Sequence, residues 1–380
     1  MSRKIIYFTN ALDQSSFKDY LSMWKVSPNL SNQNFHNKLI RAIALYNEVE
    51  VISIRAINSN FEKSKLKRSE FKENNITWKY PKVTTSRVGK YLCLNSRINK
   101  VLSLDKKDSV ILVDALNYSL VKEAYKLHKK EGYKIIGVCT DNPYNISFTN
   151  SLYQKKLMKY ATQLDGYIVL TEGINKVFNI NNKPSLTIEG VSEELDVKPS
   201  SKVEGKYFYF GGSLMGEYGV YNLIDAFNEL ELKDTKLVLC GHHLEKEKLH
   251  AKIANNPAIL YLGAVSYLDN LALEKGAILS VNPRPINAKI DECSIPSKTL
   301  ECLSLKCLNV TVKNEILLKN YEDEIIWANS SDVEDLKEAI NKALSLSKVE
   351  KEKIIESGYK KVMSRTSQSV IGKQISDFLS

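Results

Sequence analysis

Short apolar runs, each followed by residues at helical spacing, recur along the whole chain. Ile5–Thr9, Val49–Ile54, Val110–Asp114, Lys134–Cys139, Tyr167–Leu170 and Leu186–Glu189 make a first series. Near-continuous runs rich in Val and Ile are what strands look like when both faces are covered, so this series predicts a parallel sheet sandwiched by helices. After the first run a long polar segment, 10–34, leads into Phe35, Leu39, Ile40 and Ile43 at helical spacing. A polar linker, Glu193–Glu204, then interrupts the alternation, and Tyr207–Phe210, Leu237–Cys240, Ile259–Leu262, Ile278–Val281 and Leu308–Val312 form a second series. The expectation is an α/β protein with two Rossmann-like domains, residues 1–192 and 205–365, followed by a last helical segment, 366–380. A length of 380 residues suits two such domains better than one.

Within the second series, Ala277–Val312 concentrates the candidate chemistry. A strand breaks at Asn282-Pro283-Arg284 into a polar loop, a helix opens at Ile295-Pro296-Ser297, and a strand follows, which is a βαβ unit. Proline suits a first helical turn because its missing N–H would be unpaired there, and Ser297 can accept from the N–H groups that follow. The open N–H groups and the positive end of the helix dipole suit an anion, and Arg284 and Lys298 add full charges. Glu301 shares the face of Ser297 and Lys298, where a carboxylate can accept hydrogen bonds from a ribose. The plain alternative is a surface pair between Glu301 and Lys298. The first strand of this series runs into Gly211-Gly212-Ser213-Leu214-Met215-Gly216-Glu217-Tyr218-Gly219, a strand-to-helix turn that lets a backbone approach phosphate, with Gly212 and Ser213 as contacts. It is not G-x-G-x-x-G, so a dinucleotide site is poorly supported. Gly241, opening Gly241-His242-His243 at the next strand end, is a further candidate for the pocket of a base or sugar.

In the first series the carboxyl ends of strands present Asp114, Asp141 in Thr140-Asp141-Asn142-Pro143, and His36 at a helix entrance. Ligands of doubly wound sheets sit at such ends. Asp141 also fits an Asx turn before a proline, and His36 also fits a local hydrogen bond at a helix start.

Strand, N-P-R, loop, P-S-K-T-x-E and strand together resemble the donor-site segment of family 4 glycosyltransferases of GT-B fold, especially bacterial ones that build surface polysaccharides. The resemblance implies two domains facing across a cleft, with an acceptor bound by the first and a nucleotide diphosphate sugar by the second. It implies transfer with retention of configuration, no cofactor besides the donor substrate, and the last helix crossing back to the first domain. The donor set it implies is Gly212, Ser213, Gly241, Asn282, Arg284, Ser297, Lys298 and Glu301, with Asp141 and His36 as catalytic candidates beside the reacting sugar. The sequence departs from the family pattern at Cys293, where an acid is usual eight residues before the ribose-binding glutamate. It departs also at Ser213 and Tyr218, where basic residues are frequent, and at Leu305-Lys306-Cys307-Leu308 in place of a small-Gly-Lys-Pro turn. These departures keep two other readings open, a catalytically silent partner subunit and a nucleotide-sugar epimerase on the same fold.

Charge narrows the partners. Residues 61–107 hold thirteen Lys or Arg against four Asp or Glu, a balance of +9 in a chain whose total is +10, with Trp78, Tyr80 and Tyr91 interleaved. Such a stretch suits an anionic membrane surface presenting a lipid-linked, sugar-bearing acceptor. No nucleic-acid motif accompanies the charge. No run approaches a membrane span and the start lacks a signal sequence, so the expected place is the cytoplasm, peripheral on the inner face of the membrane. The six cysteines show no C-x-x-C pairing, and no D-x-D motif or ligand-spaced His/Asp/Glu cluster offers a metal site.

Overall fold

A computed structural model describes residues 4–23, 30–55, 69–82, 94–102, 109–146, 150–243, 245–287 and 291–380. The chain divides into two units. The first comprises Met1–Val191, Glu292–Ser294 and Thr366–Ser380, and the second Ser192–Asp291 and Ile295–Arg365.

In the first unit the apolar runs form β1 (Lys4–Thr9), β2 (Glu48–Ser53), β5 (Ser109–Asp114), β6 (Lys134–Cys139), β7 (Gly166–Val169) and β8 (Ser185–Thr187), joined by an additional hairpin, β3 (Glu70–Glu73) and β4 (Ile76–Lys79). Their order is β3-β4-β2-β1-β5-β6-β7-β8, and all pairs are parallel except β3 with β4. Register places Ile5 against Val49 on one side and Val110 on the other, so apolar side chains meet in rows on both faces. The connecting helices begin where an Asn or Thr side chain takes an open N–H: Asn117 from Leu120, Asn150 from Tyr153 and Thr171 from Ile174. The last helix, Gln368–Leu379, lies in this unit against the helix Leu30–Ala44, with Ile371, Ile375 and Leu379 buried in its core. Gly372 permits the approach, because a Cβ there would run into the carbonyl of Ala42.

The hairpin changes the reading of the basic stretch. Residues 56–68, 83–93 and 103–108, which carry Lys63, Lys65, Lys67, Arg68 and Tyr91, lie outside the described residues. In the described part Trp78 and Tyr80 are buried, as are Leu94 and Leu102. The Tyr80 hydroxyl donates to Asp13 at 2.6 Å, and the Arg55 guanidinium lies 4.4 Å from the centre of its ring. Trp78 and Tyr80 are therefore core residues, drawn inward by the hydrophobic effect although charged neighbours surround them in sequence.

The second unit holds β9 (Lys206–Gly211), β10 (Thr235–Cys240), β11 (Ile259–Tyr261), β12 (Leu279–Asn282), β13 (Asn309–Val312) and β14 (Ile326–Ala328), in the order β11-β10-β9-β12-β13-β14 and parallel throughout. Its principal core packs Phe208, Phe210, Leu237, Leu239, Val281 and Val310 under the helices Val220–Glu229 and Val333–Ser345. No helix of the described residues is long and apolar enough to cross a membrane.

Candidate functional site

At the carboxyl ends of β9 and β12 the second unit forms a polar pocket. Among its lining are Tyr209, Asn270, Glu274, Asn282, Lys298 and Glu301. Two glycines set its backbone frame. Gly219, with φ of 78°, ends a 3-10 turn, Gly216–Tyr218, and its Cα faces the Pro283 carbonyl so closely that a Cβ would collide with it. Gly241, with φ of 138°, lies in the same way against the Gly212 carbonyl. A side chain at either position would strain the backbone and push the two loops apart.

The helix Ser297–Ser304 enters the pocket from its N-terminal end. Pro296, not Ser297, occupies the N-cap position, and no side chain caps that end. Its first N–H groups suit an anion for that reason. Lys298 reaches across and donates to the Gly211 carbonyl, occupying the space that a Cβ on Gly212 would need. Desolvation pulls the ammonium below the ordinary lysine range against the opposing pull of Glu274 and Glu301. One turn on, Glu301 accepts from the Tyr267 hydroxyl at 2.9 Å. Glu274, buried near the end of the helix Tyr267–Gly276, accepts from Ser280 Oγ at 2.6 Å. Burial, reinforced by the Glu301 charge, pushes its carboxyl up to about 8 against the hydrogen bond from Ser280 and the charge of Lys298.

The structure thus brings Asn282, Lys298 and Glu301 together and sets Gly212 beside the Lys298 ammonium. Asn282 also serves the frame, donating to Thr299 Oγ1 at 3.4 Å. Ser213, Gly241, Arg284 and Ser297 are outside the pocket lining. Arg284 stands 3.8 Å from Asp291, and Ser297 is exposed at the helix start. Glu274 is absent from the sequence-based set. Its signal was the stripe Tyr267, Asn270, Leu271, Glu274, which shares one helical face with an apolar residue.

In the first unit His36 is fully buried, its Nδ1 bonded to the Tyr7 hydroxyl at 2.7 Å and its Nε2 3.5 Å from Asp114 Oδ2. Burial lowers its basicity and the Asp114 charge partly restores it. Offered by the sequence as a catalytic candidate, His36 stands edge-on to the rings of Tyr7 and Phe35. Asp114 is buried with it and accepts from the Leu116 N–H at 3.0 Å. Asp141 is partly exposed in the turn after β6 and accepts from the Asn142 N–H at 2.7 Å. Cys293, at the position of the usual acid, is buried in the first unit, with its sulfur 3.7 Å from Asn142 Nδ2 and its thiol pushed up by burial. The position carries a neutral thiol. Lys306, at the position where the resemblance has a glycine, takes the left-handed conformation, φ 56°.

No curated protein matches this chain. Among solved structures it is similar to sucrose-phosphate synthase from Thermosynechococcus elongatus, at TM-score 0.71 and 10% identity over 99% of this chain and 98% of that one. It is similar also to the E. coli structure described as trehalose-6-phosphate bound with UDP-2-fluoro glucose, at TM-score 0.70 and 11% identity over 99% of both chains. Anabaena HepE, in complex with UDP and glucose, is similar at TM-score 0.67 and 13% identity over 99% of this chain and 98% of that one. Residues 191–361 match the family model described as Glycosyl transferases group 1. The chain therefore has the GT-B fold.

Proposed function

We propose that this protein is a glycosyltransferase that takes a sugar from a nucleotide diphosphate donor held by the second unit. The observation that carries the reading is that Lys298 and Glu301, from the first turns of a helix with no side-chain cap, line one pocket at the carboxyl ends of β9 and β12. In it Lys298, Arg284 and the first-turn N–H groups serve the pyrophosphate, and Glu301, held by Tyr267, serves the ribose. Catalysis then comes from positioning two substrates and stabilising the leaving phosphate, with no dedicated nucleophile. Asp141 stands as the acid of the first unit that meets the sugar. His36 acts only through Tyr7 and Asp114. Retention of configuration and an acceptor of the bacterial surface-polysaccharide class follow from the resemblance in the sequence.

The acceptor has two candidate settings. A lipid-linked acceptor at the membrane rests on the charge of residues 61–107 alone, because Trp78 and Tyr80 are core residues. A soluble sugar phosphate is the setting suggested by the names of the sucrose- and trehalose-phosphate neighbours. Sedimentation with anionic liposomes at low salt, lost on reversing Lys63, Lys65, Lys67 and Arg68 to glutamate, selects the first setting. Absence of sedimentation selects the second.

A silent, donor-binding subunit is favoured by the neutral Cys293 and by Ser213 and Tyr218 in the glycine-rich turn. The deciding experiment is calorimetric binding across a panel of UDP- and GDP-sugars, followed by turnover with and without acceptors. Transfer to an acceptor supports the proposal, turnover without acceptor supports an epimerase, and binding without turnover supports the silent subunit. Among the described residues no group of three or more His, Cys, Asp or Glu is arranged to hold a metal ion, and the cations above are offered as the phosphate's counter-charge. Activity is therefore expected to survive EDTA. Loss restored by magnesium or manganese would overturn that part.

A further inference from the structure

In the donor pocket one ammonium stands among two carboxylates. Lys298 is the only cation among the described residues that line it, and Glu274 and Glu301 are its acids. Glu274 is the more enclosed of the two, and its surroundings come from every side. Ser280 from β12 donates to it, Tyr209 approaches from β9, Tyr267 from its own helix, and Lys298, Glu301 and Cys302 from the helix Ser297–Ser304. Of these only Lys298 is positive, and its ammonium donates to the Gly211 carbonyl.

A pyrophosphate brought to Lys298 adds negative charge to this enclosure while drawing away the only cation that balances Glu274. A buried carboxylate and a half-buried one beside a phosphate are costly, and the cheapest relief is to neutralise the acid that is already most desolvated. The Ser280 hydroxyl can rotate, so its hydrogen bond survives protonation. We propose, on the basis of the donor reading above, that binding of a nucleotide diphosphate sugar is coupled to uptake of one proton by Glu274. Lys298 leaves the Gly211 carbonyl for the pyrophosphate, and the carboxylate it leaves takes a proton from solvent to become a neutral acid. Glu274 is a positioning residue in this scheme: it touches no substrate and acts through the charge it presents to Lys298.

The raised affinity of Glu274 for protons sets the window. With its carboxyl at about 8 in the empty pocket, the acid is already mostly neutral at pH 7, and the uptake shows above about pH 8. Lys298 also titrates at high pH, and a substitution separates the two groups. Glu274→Gln mimics the neutral acid and removes its proton. It also removes the negative charge that supports the Lys298 ammonium, so an uptake that belonged to Lys298 would persist or grow.

The test is isothermal calorimetry of the full chain with UDP-glucose, and with GDP-mannose as a second probe, at pH 8.5 in buffers of differing ionisation enthalpy. Each probe carries a base N–H, uracil N3–H or guanine N1–H, that begins to ionise near this pH, so the uptake assigned to Glu274 is the difference between wild type and E274Q. The expected result is uptake of about half a proton to one proton, with affinity falling up to about tenfold per pH unit from pH 8 to 9. E274Q is expected to bind with only the small uptake that belongs to the base and, at pH 9, more tightly than the wild type. Binding with no uptake, or uptake equal in wild type and E274Q, overturns the proposal and leaves the donor reading intact. Failure of the folded wild type to bind either probe overturns both. If E274Q does not fold, Ser280→Ala decides: losing the hydrogen bond that steadies the carboxylate moves the onset of uptake to higher pH, and an unmoved onset overturns the proposal.

Discussion

Glu301→Gln tests the donor site most directly. Glu301 Oε1 accepts from the Tyr267 hydroxyl at 2.9 Å, and a glutamine keeps an oxygen in that place while losing the charge. The fold should not suffer. The Glu301 charge helps push the neighbouring Glu274 carboxyl up, so its removal relieves a repulsion inside the second unit. What disappears is a charge-assisted acceptor for the ribose, worth about 1.5–3 kcal/mol. That corresponds to roughly 10- to 150-fold in Kd. Calorimetric titration with nucleotide sugars at pH 7.5, alongside a thermal melt, reads both quantities. Tyr267→Phe leaves the carboxylate charged but untethered and should lose less, about 0.5–1.5 kcal/mol. An unchanged Kd for E301Q would show Glu301 to be a surface residue. An affinity lost only together with several degrees of melting temperature would show it to be structural.

Glu274 makes the second unit's stability pH-dependent. Its folded-state carboxyl is raised to about 8 from 4.5, so the stability penalty is absent below about pH 4.5, grows as pH rises, and is complete above pH 8. The shift corresponds to roughly 4–5 kcal/mol, which E274Q should recover when denaturant melts at pH 5 and 8.5 are compared. An equal pH dependence in E274Q would refute it. Ile375→Ala, removing a fully buried side chain of the last helix, should cost about 2–5 kcal/mol and raise hydrogen exchange in β1 and β2 while leaving β9 and β10 protected. Uniform exchange across both units would contradict the assignment of that helix to the first. Lys306→Gly relieves a left-handed backbone worth about 1–2 kcal/mol but loses a surface pair, Lys306 Nζ to Glu356 at 2.7 Å, worth under about 1 kcal/mol. A denaturant melt should show a gain or no change, and a clear loss would refute the balance.

The parallel strands were legible because both of their faces are buried, which forces continuous apolar runs such as Val110–Val113 and Ile135–Val138. The β3–β4 hairpin was not. It lies at the edge of its sheet, only Ile76 and Trp78 of β4 point inward, and the turn Asn74-Asn75 sits inside a run of lysines that reads as solvated surface. β14 is three residues long and gives too few positions for a period. In the site, Lys298 and Glu301 were legible because they lie three residues apart on one helix, a local relation. Glu274 and His36 depend on partners that only folding brings close: Ser280 and Lys298 for the first, Tyr7 and Asp114 for the second. Local spacing cannot state whether a histidine at a helix start turns outward or into the sheet.

The helix Gln368–Leu379 also sets a timetable. Ile371, Ile375 and Leu379 belong to the core of a unit whose other strands are all in the first 191 residues, so that core cannot close until about 190 further residues have been made. At roughly 5–20 residues per second the wait is about 10–40 s. During it, Ala42 and its neighbours on the helix Leu30–Ala44 stand without their cover, while the second unit, contributed by the intervening chain apart from Glu292–Ser294, can complete itself. The first unit to emerge from the ribosome is thus the last to be finished. A chaperone that holds exposed apolar helices should meet this protein on its N-terminal half, and expression of residues 1–191 alone should yield aggregate unless the 366–380 segment is supplied.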